Sequence, residues 1–150
     1  MPKPNELVRI GWRERVDLPA WGLSGVRAKI DTGARTSVID VAQIETIDEG
    51  HVRFEVVWRT KPERLTKWVN AEAVRTSRVK PSTGELQERL VCITTVKIGE
   101  LERQIELALV CRQNMRCRML IGRKALAGLF LVDPSRAHLL TNRRPGKERP

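Results

Sequence analysis

One stretch of this sequence is suited to holding a carboxylate: Ala28-Lys29-Ile30-Asp31-Thr32-Gly33-Ala34-Arg35-Thr36-Ser37-Val38-Ile39. Apolar residues lead in, Asp-Thr-Gly follows, and apolar residues resume after a short polar run. This is the pattern of a strand that enters a tight loop and leaves as another strand, with Asp31 at the tip. Gly33 has no Cβ, so backbone can pass close to the carboxylate and its N–H can donate to it. Thr32 offers a hydroxyl that can brace the loop, and Ala34 is small. Two carboxylates held close together share one proton, because like charges a few ångströms apart do not both ionise. The ionised member takes a proton from water, and the protonated one hydrogen-bonds a scissile carbonyl. The pair then titrates as a unit. Asp31 is therefore read as half of a peptide-hydrolysing dyad.

The other half is not in this chain. Asp17, Asp40, Asp48 and Asp133 are the remaining aspartates, and none precedes Thr-Gly or Ser-Gly. A two-fold symmetric homodimer would bring Asp31 face to face with its own copy on the axis. Taken alone, Asp-Thr-Gly is also an ordinary β-turn, since Asp and Gly are both turn formers. Its context adds weight. Apolar strands flank it on both sides, and a second strand–Gly–Arg turn follows far downstream at Met119-Leu120-Ile121-Gly122-Arg123.

The elements that must position Asp31 read as strands. A chain of 150 residues suits one domain with one core. It has four Trp, two Phe and no Tyr, so Val, Ile and Leu must build that core, which favours strands. Leu7–Trp12 reads as a strand, and 16–23, with Pro19 and Gly22, as a turn or irregular edge. Val26–Ile30 alternates apolar with basic, the period of a strand with one wet face. Residues 37–47 read as a strand and a bend, with helix as a lesser alternative. Asp48-Glu49-Gly50 is a hairpin turn, followed by an alternating strand over His51–Trp58. Residues 60–64 connect to an extended 68–79, with Val69, Ala71, Ala73 and Val74 facing inward. Lys80-Pro81-Ser82-Thr83-Gly84-Glu85 is a turn by its chemistry, so 75–79 and 88–98 form a long hairpin. Residues 103–111 form another strand, 117–123 a short one, 124–129 one or two helical turns, and 130–132 a last strand. Short strands with turn signals about every 8 to 12 residues predict an all-β sandwich or barrel.

Charge and cysteine content bound the partners. The formal net charge of +10 fits a negatively charged partner or a solvated basic surface equally well. There is no basic helix stripe or aromatic-plus-basic motif of a nucleic-acid module. Cys92, Cys111 and Cys117 are odd in number and unpaired in spacing, and His51 and His138 lie far from them, so free thiols are expected and no metal site. No signal peptide and no apolar run of about 18 residues is seen, so no membrane span is expected and a reducing, cytoplasmic setting fits.

Ile30-Asp31-Thr32-Gly33-Ala34, followed by Leu120-Ile121-Gly122-Arg123 and a short helix, resembles the retropepsin-like aspartic proteases. Within them, Lys29–Ser37, Ser82–Val91, Asn114–Phe130 and the closing Leu131-Val132-Asp133-Pro134 resemble the bacterial family that carries the name ATP-dependent zinc protease. The chain has neither His-Glu-x-x-His nor a Gly-x-x-x-x-Gly-Lys-Ser/Thr loop, so zinc, ATP and any other cofactor are not expected. The resemblance implies a single-lobe retropepsin-like acid-protease barrel with a flap hairpin and one short helix near the C-terminus. It spans 10–140, between an N-terminal tail (1–9) and a disordered basic tail (141–150).

By the same resemblance Asp31 is the catalytic carboxylate, and Thr32, Gly33, Ala34 and Arg35 complete its loop. Ser82, Thr83 and Gly84 tip a flap that closes over substrate, although an ordinary exposed hairpin is an equal reading. Gly122 packs beneath the loop. Arg123 braces the loop or the dimer through a bidentate ion pair, or is a surface Arg at a helix start. Arg35 stands where viral relatives tend to carry an acidic residue; it either favours ionised carboxylates or binds an acidic substrate. The family is associated with an ATP-grasp ligase that adds glutamates to a ribosomal protein. This implies a role in regulating that modification and a peptide or protein substrate, with the basic charge steering a glutamate-rich tail.

The leading expectation is a homodimeric aspartic endopeptidase. Its rival is a non-catalytic module of the same fold that binds or regulates a ligase or ribosome partner. A nucleic-acid-binding β-barrel would need stacking aromatics on a basic face, and Trp12, Trp21, Trp58 and Trp68 are more simply explained by core packing.

Overall fold

The computed structural model describes residues 6–80, 84–111 and 117–141. The expected loose ends at 1–5 and 142–150, and Ser82 and Thr83 of the expected flap, lie outside the described residues. The elements in chain order are β1 (Val8–Gly11), β2 (Arg13–Leu18), a single 3₁₀ turn (Pro19–Trp21), β3 (Leu23–Ile30), β4 (Ser37–Asp48) and β5 (His51–Arg59). They continue with β6 (Leu65–Val79), β7 (Gln87–Ile98), β8 (Leu101–Val110), β9 (Met119–Ile121), α1 (Arg123–Leu126) and β10 (Phe130–Asp133). The fold is all-β with one short helix, as the strand patterning predicts. No helix among the described residues is long and apolar enough to cross a membrane.

Strands β2, β3, β9, β4, β8 and β7 pair in that order, and β7 returns to β2 at Asp17–Lys97, so they close a ring. Closure leaves few unpaired sheet edges. Strands β4 and β6 are long because each changes partner partway. The first part of β4 lies between β8 and β9, and from Val41 onward it pairs with β5. The first part of β6 pairs with β5, and from Ala73 it pairs with β7. Beside the ring, β1 and β10 form a parallel pair. The core is mainly aliphatic: Ile10, Val16, Val26, Ile39 and Leu107 are wholly buried, and Phe54 is buried among them. Trp21 meets Phe54 edge-on, with ring centroids 5.1 Å apart.

Several expectations are corrected. The irregular edge expected over 16–23 takes the form of a register shift between Val16 and Leu18, the 3₁₀ turn and Gly22 at a φ of +69°, but β2 itself extends to Leu18 and β3 resumes at Leu23. Val74 points outward, because the period-two alternation that turns Val69, Ala71 and Ala73 inward puts the residue after Ala73 on the opposite face. Strand β1 begins at Val8, inside the stretch assigned to the N-terminal tail. Thr141 is bound by Glu14 although it was assigned to the C-terminal tail. Core packing accounts for Trp21 but not for Trp12, which is partly exposed and lies 4.9 Å beneath the Arg13 guanidinium.

Candidate active site

The strand before Asp31 and the strand after its loop do not pair with each other. Strand β9 lies between them, parallel to β3 and antiparallel to β4. The chain that leaves β3 at Ile30 must therefore cross the end of β9 to reach β4, and that crossing is the Asp31 loop. Backbone bonds tie it down on the way. Asp31 N donates to Ile121 O at 2.9 Å, and Arg123 N and Lys124 N donate to Ala34 O and Arg35 O at 2.8 and 3.1 Å. The loop carbonyls thus satisfy donors at the start of α1 that no helical turn can reach.

Within the loop, Gly33 N donates to Asp31 Oδ1 at 3.0 Å, and a Cβ on Gly33 would stand 3.2 Å from that oxygen. Asp31 is half-buried, while Thr32, Gly33 and Arg35 are exposed. Gly122 sits directly under the loop: a Cβ there would come within 2.9 Å of Arg35 C, Arg35 O and Thr36 C. Its N–H donates to the buried Ser37 Oγ at 3.0 Å. Arg123 Nη1 donates to Thr32 O at 3.1 Å. The partner of Arg123 among the described residues is thus a carbonyl, where a bidentate ion pair was expected, because the loop turns its backbone rather than a carboxylate toward α1.

Asp31 opens onto a cleft of about 680 Å³. Arg75, Ser77 and Val79 of β6 and Arg89 of β7 line it, so the arms of the long hairpin border the same space as the Asp31 loop. Gly84, at a φ of +87° and exposed, lies beyond those arms; the positions of Ser82 and Thr83 lie outside the described residues. The cleft also holds Glu106, which no motif singled out. Glu106 Oε1 accepts from Arg75 Nη2 at 2.6 Å and from Lys124 Nζ at 3.4 Å. The hydrogen bond from Arg75 holds its carboxyl below the usual range, against the opposing effect of burial and with help from Lys124. A carboxylate kept ionised by two cations is a poor partner for sharing a proton, so Glu106 does not supply the missing half of a dyad. In the sequence it reads as one more outward polar residue of an alternating strand, and no local signal marks it. The same holds for Ser37, which only its contact with Gly122 identifies.

Among the described residues no group of three or more His, Cys, Asp or Glu side chains could hold a metal ion. The thiols are free: Cys92 and Cys117 are buried and Cys111 is exposed.

Comparison with known proteins agrees with this geometry. The family described as "RimB-like: Retropepsin-like aspartic endopeptidase RimB" matches residues 9–143. Proteins named "Probable alpha-L-glutamate ligase" from Shewanella halifaxensis and Shewanella pealeana are 32% and 33% identical over 134 residues. Each match covers 87% of this chain and 29% of the relative, so the chain spans under a third of the length of these relatives. A crystal structure of the Legionella pneumophila protein Lpg0085, of unknown function, superposes with a TM-score of 0.73 at 26% identity, over 90% of this chain and 99% of that one.

Proposed function

This chain belongs to the RimB-like family of retropepsin-like aspartic endopeptidases, and from that premise we propose that it is an aspartic peptidase working as a homodimer. Asp31 of each copy supplies one carboxylate. One of the two activates water and the other hydrogen-bonds the scissile carbonyl. The observation that carries this reading is the anchoring of Asp31 at the edge of a peptide-sized cleft. Its loop is bonded to β9 and α1, and Gly33 N–H orients one carboxylate oxygen. A catalytic group needs such rigidity. Thr32, Ala34 and Arg35 shape the loop, Gly122 and Arg123 support it from beneath, and the hairpin tip at Ser82, Thr83 and Gly84 closes over substrate.

An acidic, glutamate-rich peptide is the proposed substrate class. Arg35, Arg75, Arg89 and Lys124 line the cleft, and the relatives are named for glutamate ligation. Action on the product of such a ligase, in a cytoplasmic setting and in regulation of ribosomal-protein glutamylation, follows as part of the proposal. One observation favours a second reading: relatives named as ligases carry a matching segment within much longer chains, as a non-catalytic module that docks on a ligase would.

Replacement of Asp31 by Asn separates the two, since it keeps the shape and removes the charge. The wild-type chain should cleave glutamate-rich peptides, sediment as a dimer, resist metal chelators and be inhibited by statine-like mimics of the transition state. Asp31→Asn should abolish cleavage with the fold intact. Undiminished cleavage by Asp31→Asn would overturn the catalytic assignment, and a chain that stays monomeric at high concentration would overturn the shared dyad.

A further inference from the structure

The cleft contains an arrangement that hydrolysis at Asp31 does not use. Arg75 and Lys124 come from different elements, β6 and the first turn of α1, and both point at a single oxygen of Glu106 on β8. The three side chains make a two-cation clamp closed on a carboxylate, and the carboxylate is the protein's own. We propose that Arg75 and Lys124 form a carboxylate-binding subsite beside Asp31, that Glu106 fills it in the free protein, and that an acidic side chain of a bound peptide takes its place. The proposal rests on the cleft being the peptide-binding site.

Three features support exchange. The side chains are wet: Glu106 is 26% exposed, Arg75 40% and Lys124 50%. Ion pairs at such exposure are worth little against water, so the internal one is readily displaced. Glu106 engages both cations through Oε1 and does not form the two-pronged fork that a guanidinium makes with a well-placed carboxylate. An incoming carboxylate that forms the fork gains a hydrogen bond. Finally, a displaced Glu106 has somewhere to go. Glu106 and Lys124 also line a neighbouring cavity of about 250 Å³, whose wall includes Arg103. Arg103 donates through Nη1 to Ala125 O and Ala127 O, so that cation is already held in place.

The placeholder role carries a distinctive sign. A residue that merely orients the cations would weaken ligand binding when neutralised, whereas a resident competitor would strengthen it. Binding of hexaglutamate and hexaglutamine is measured by calorimetry on the full chain carrying Asp31→Asn, which prevents turnover. Adding Glu106→Gln should tighten hexaglutamate binding by about 2- to 5-fold, the scale of one exposed ion pair, with hexaglutamine unaffected. Lys124→Gln should weaken hexaglutamate binding by a similar factor. Lys124 is exposed enough that this variant folds even if Glu106→Gln does not.

Unchanged or weaker hexaglutamate binding by Glu106→Gln overturns the proposal, as does unchanged binding by Lys124→Gln. Because the readout is binding, its failure is separable from that of the peptidase reading. If wild type cleaves nothing while Glu106→Gln tightens binding, the subsite stands and the enzyme falls. If wild type cleaves while Glu106→Gln leaves affinity unchanged, the subsite alone falls.

Discussion

Arg118 Nη1 donates to Asp40 Oδ2 at 2.6 Å, and both side chains are almost wholly buried. The backbones of the same residues meet as well, Asp40 N donating to Arg118 O at 2.9 Å. The pair joins β4 to the chain entering β9, the two strands whose neighbourhood sets the Asp31 loop. Removing one member of a buried pair strands a charge, which costs about 3–5 kcal/mol. Asp40→Ala should lower the free energy of urea unfolding by that amount, and Asp40→Leu combined with Arg118→Met should recover much of it. A single-variant loss below about 1 kcal/mol would show that the pair is not needed to hold β4 and β9 together.

Gly122→Ala tests the packing under the loop. Its Cβ would meet backbone atoms of Arg35 and Thr36 at 2.9 Å, and backbone yields less easily than a side chain. The expected cost is about 1–3 kcal/mol, as for other overpacked sites. The displacement falls on the loop, so peptidase activity should drop further than stability explains. Thermal unfolding and cleavage rates measured together check this, and a variant with wild-type activity would refute it.

Acid should release the C-terminal segment before the barrel opens. Glu14 is buried, and it accepts bonds from Gly11 N, Leu139 N, Leu140 N, Thr141 N and Thr141 Oγ1 at 2.6–3.1 Å. Burial pushes its carboxyl up, but the Thr141 hydroxyl and the backbone donors outweigh that and hold it below the usual 4.5. A carboxyl lowered on folding contributes stability at neutral pH, and that contribution is lost as pH falls from about 4.5 through the folded value. Glu14→Gln should cost about 1–3 kcal/mol at pH 7, and its difference from wild type should shrink below pH 4.5. A difference that stays constant with pH would sink this account.

The thiols should differ in reactivity. Burial pushes Cys92 up to about 11, and Cys117 is also buried and raised. Cys111 is raised as well, by burial and by Asp40, yet it is exposed. A thiol reagent at neutral pH should therefore modify Cys111 first, and the other two only on denaturation. Mass mapping that finds Cys92 labelled first in the native protein would contradict the fold around it.

Much of the fold is legible locally. The alternation of His51–Trp58 and the Asp48-Glu49-Gly50 turn specify the β4–β5 hairpin, because side-chain period and turn chemistry act over a few residues. The β6–β7 and β7–β8 hairpins follow in the same way. Val74 obeys the same logic against its own apolar character: the alternation of Val69, Ala71 and Ala73 leaves it on the outer face, whereas nothing in the composition near Ala73 announces the change of partner from β5 to β7 there.

The sequence by itself determined that the chain is all-β, that one carboxylate sits on the turn between Ile30 and Ala34, and that Gly122-Arg123 belongs with it. These rest on short-range chemistry and on a pair of motifs. Only the tertiary structure decided that β9 inserts between β3 and β4, where Ala28 lies opposite Met119 and Val38 opposite Leu120. Only it decided that Glu106 would face Asp31's cleft in the grip of Arg75 and Lys124. Residues so far apart in sequence meet because closing the ring buries its aliphatic interior. That burial is non-directional and leaves no local mark on the residues it brings together.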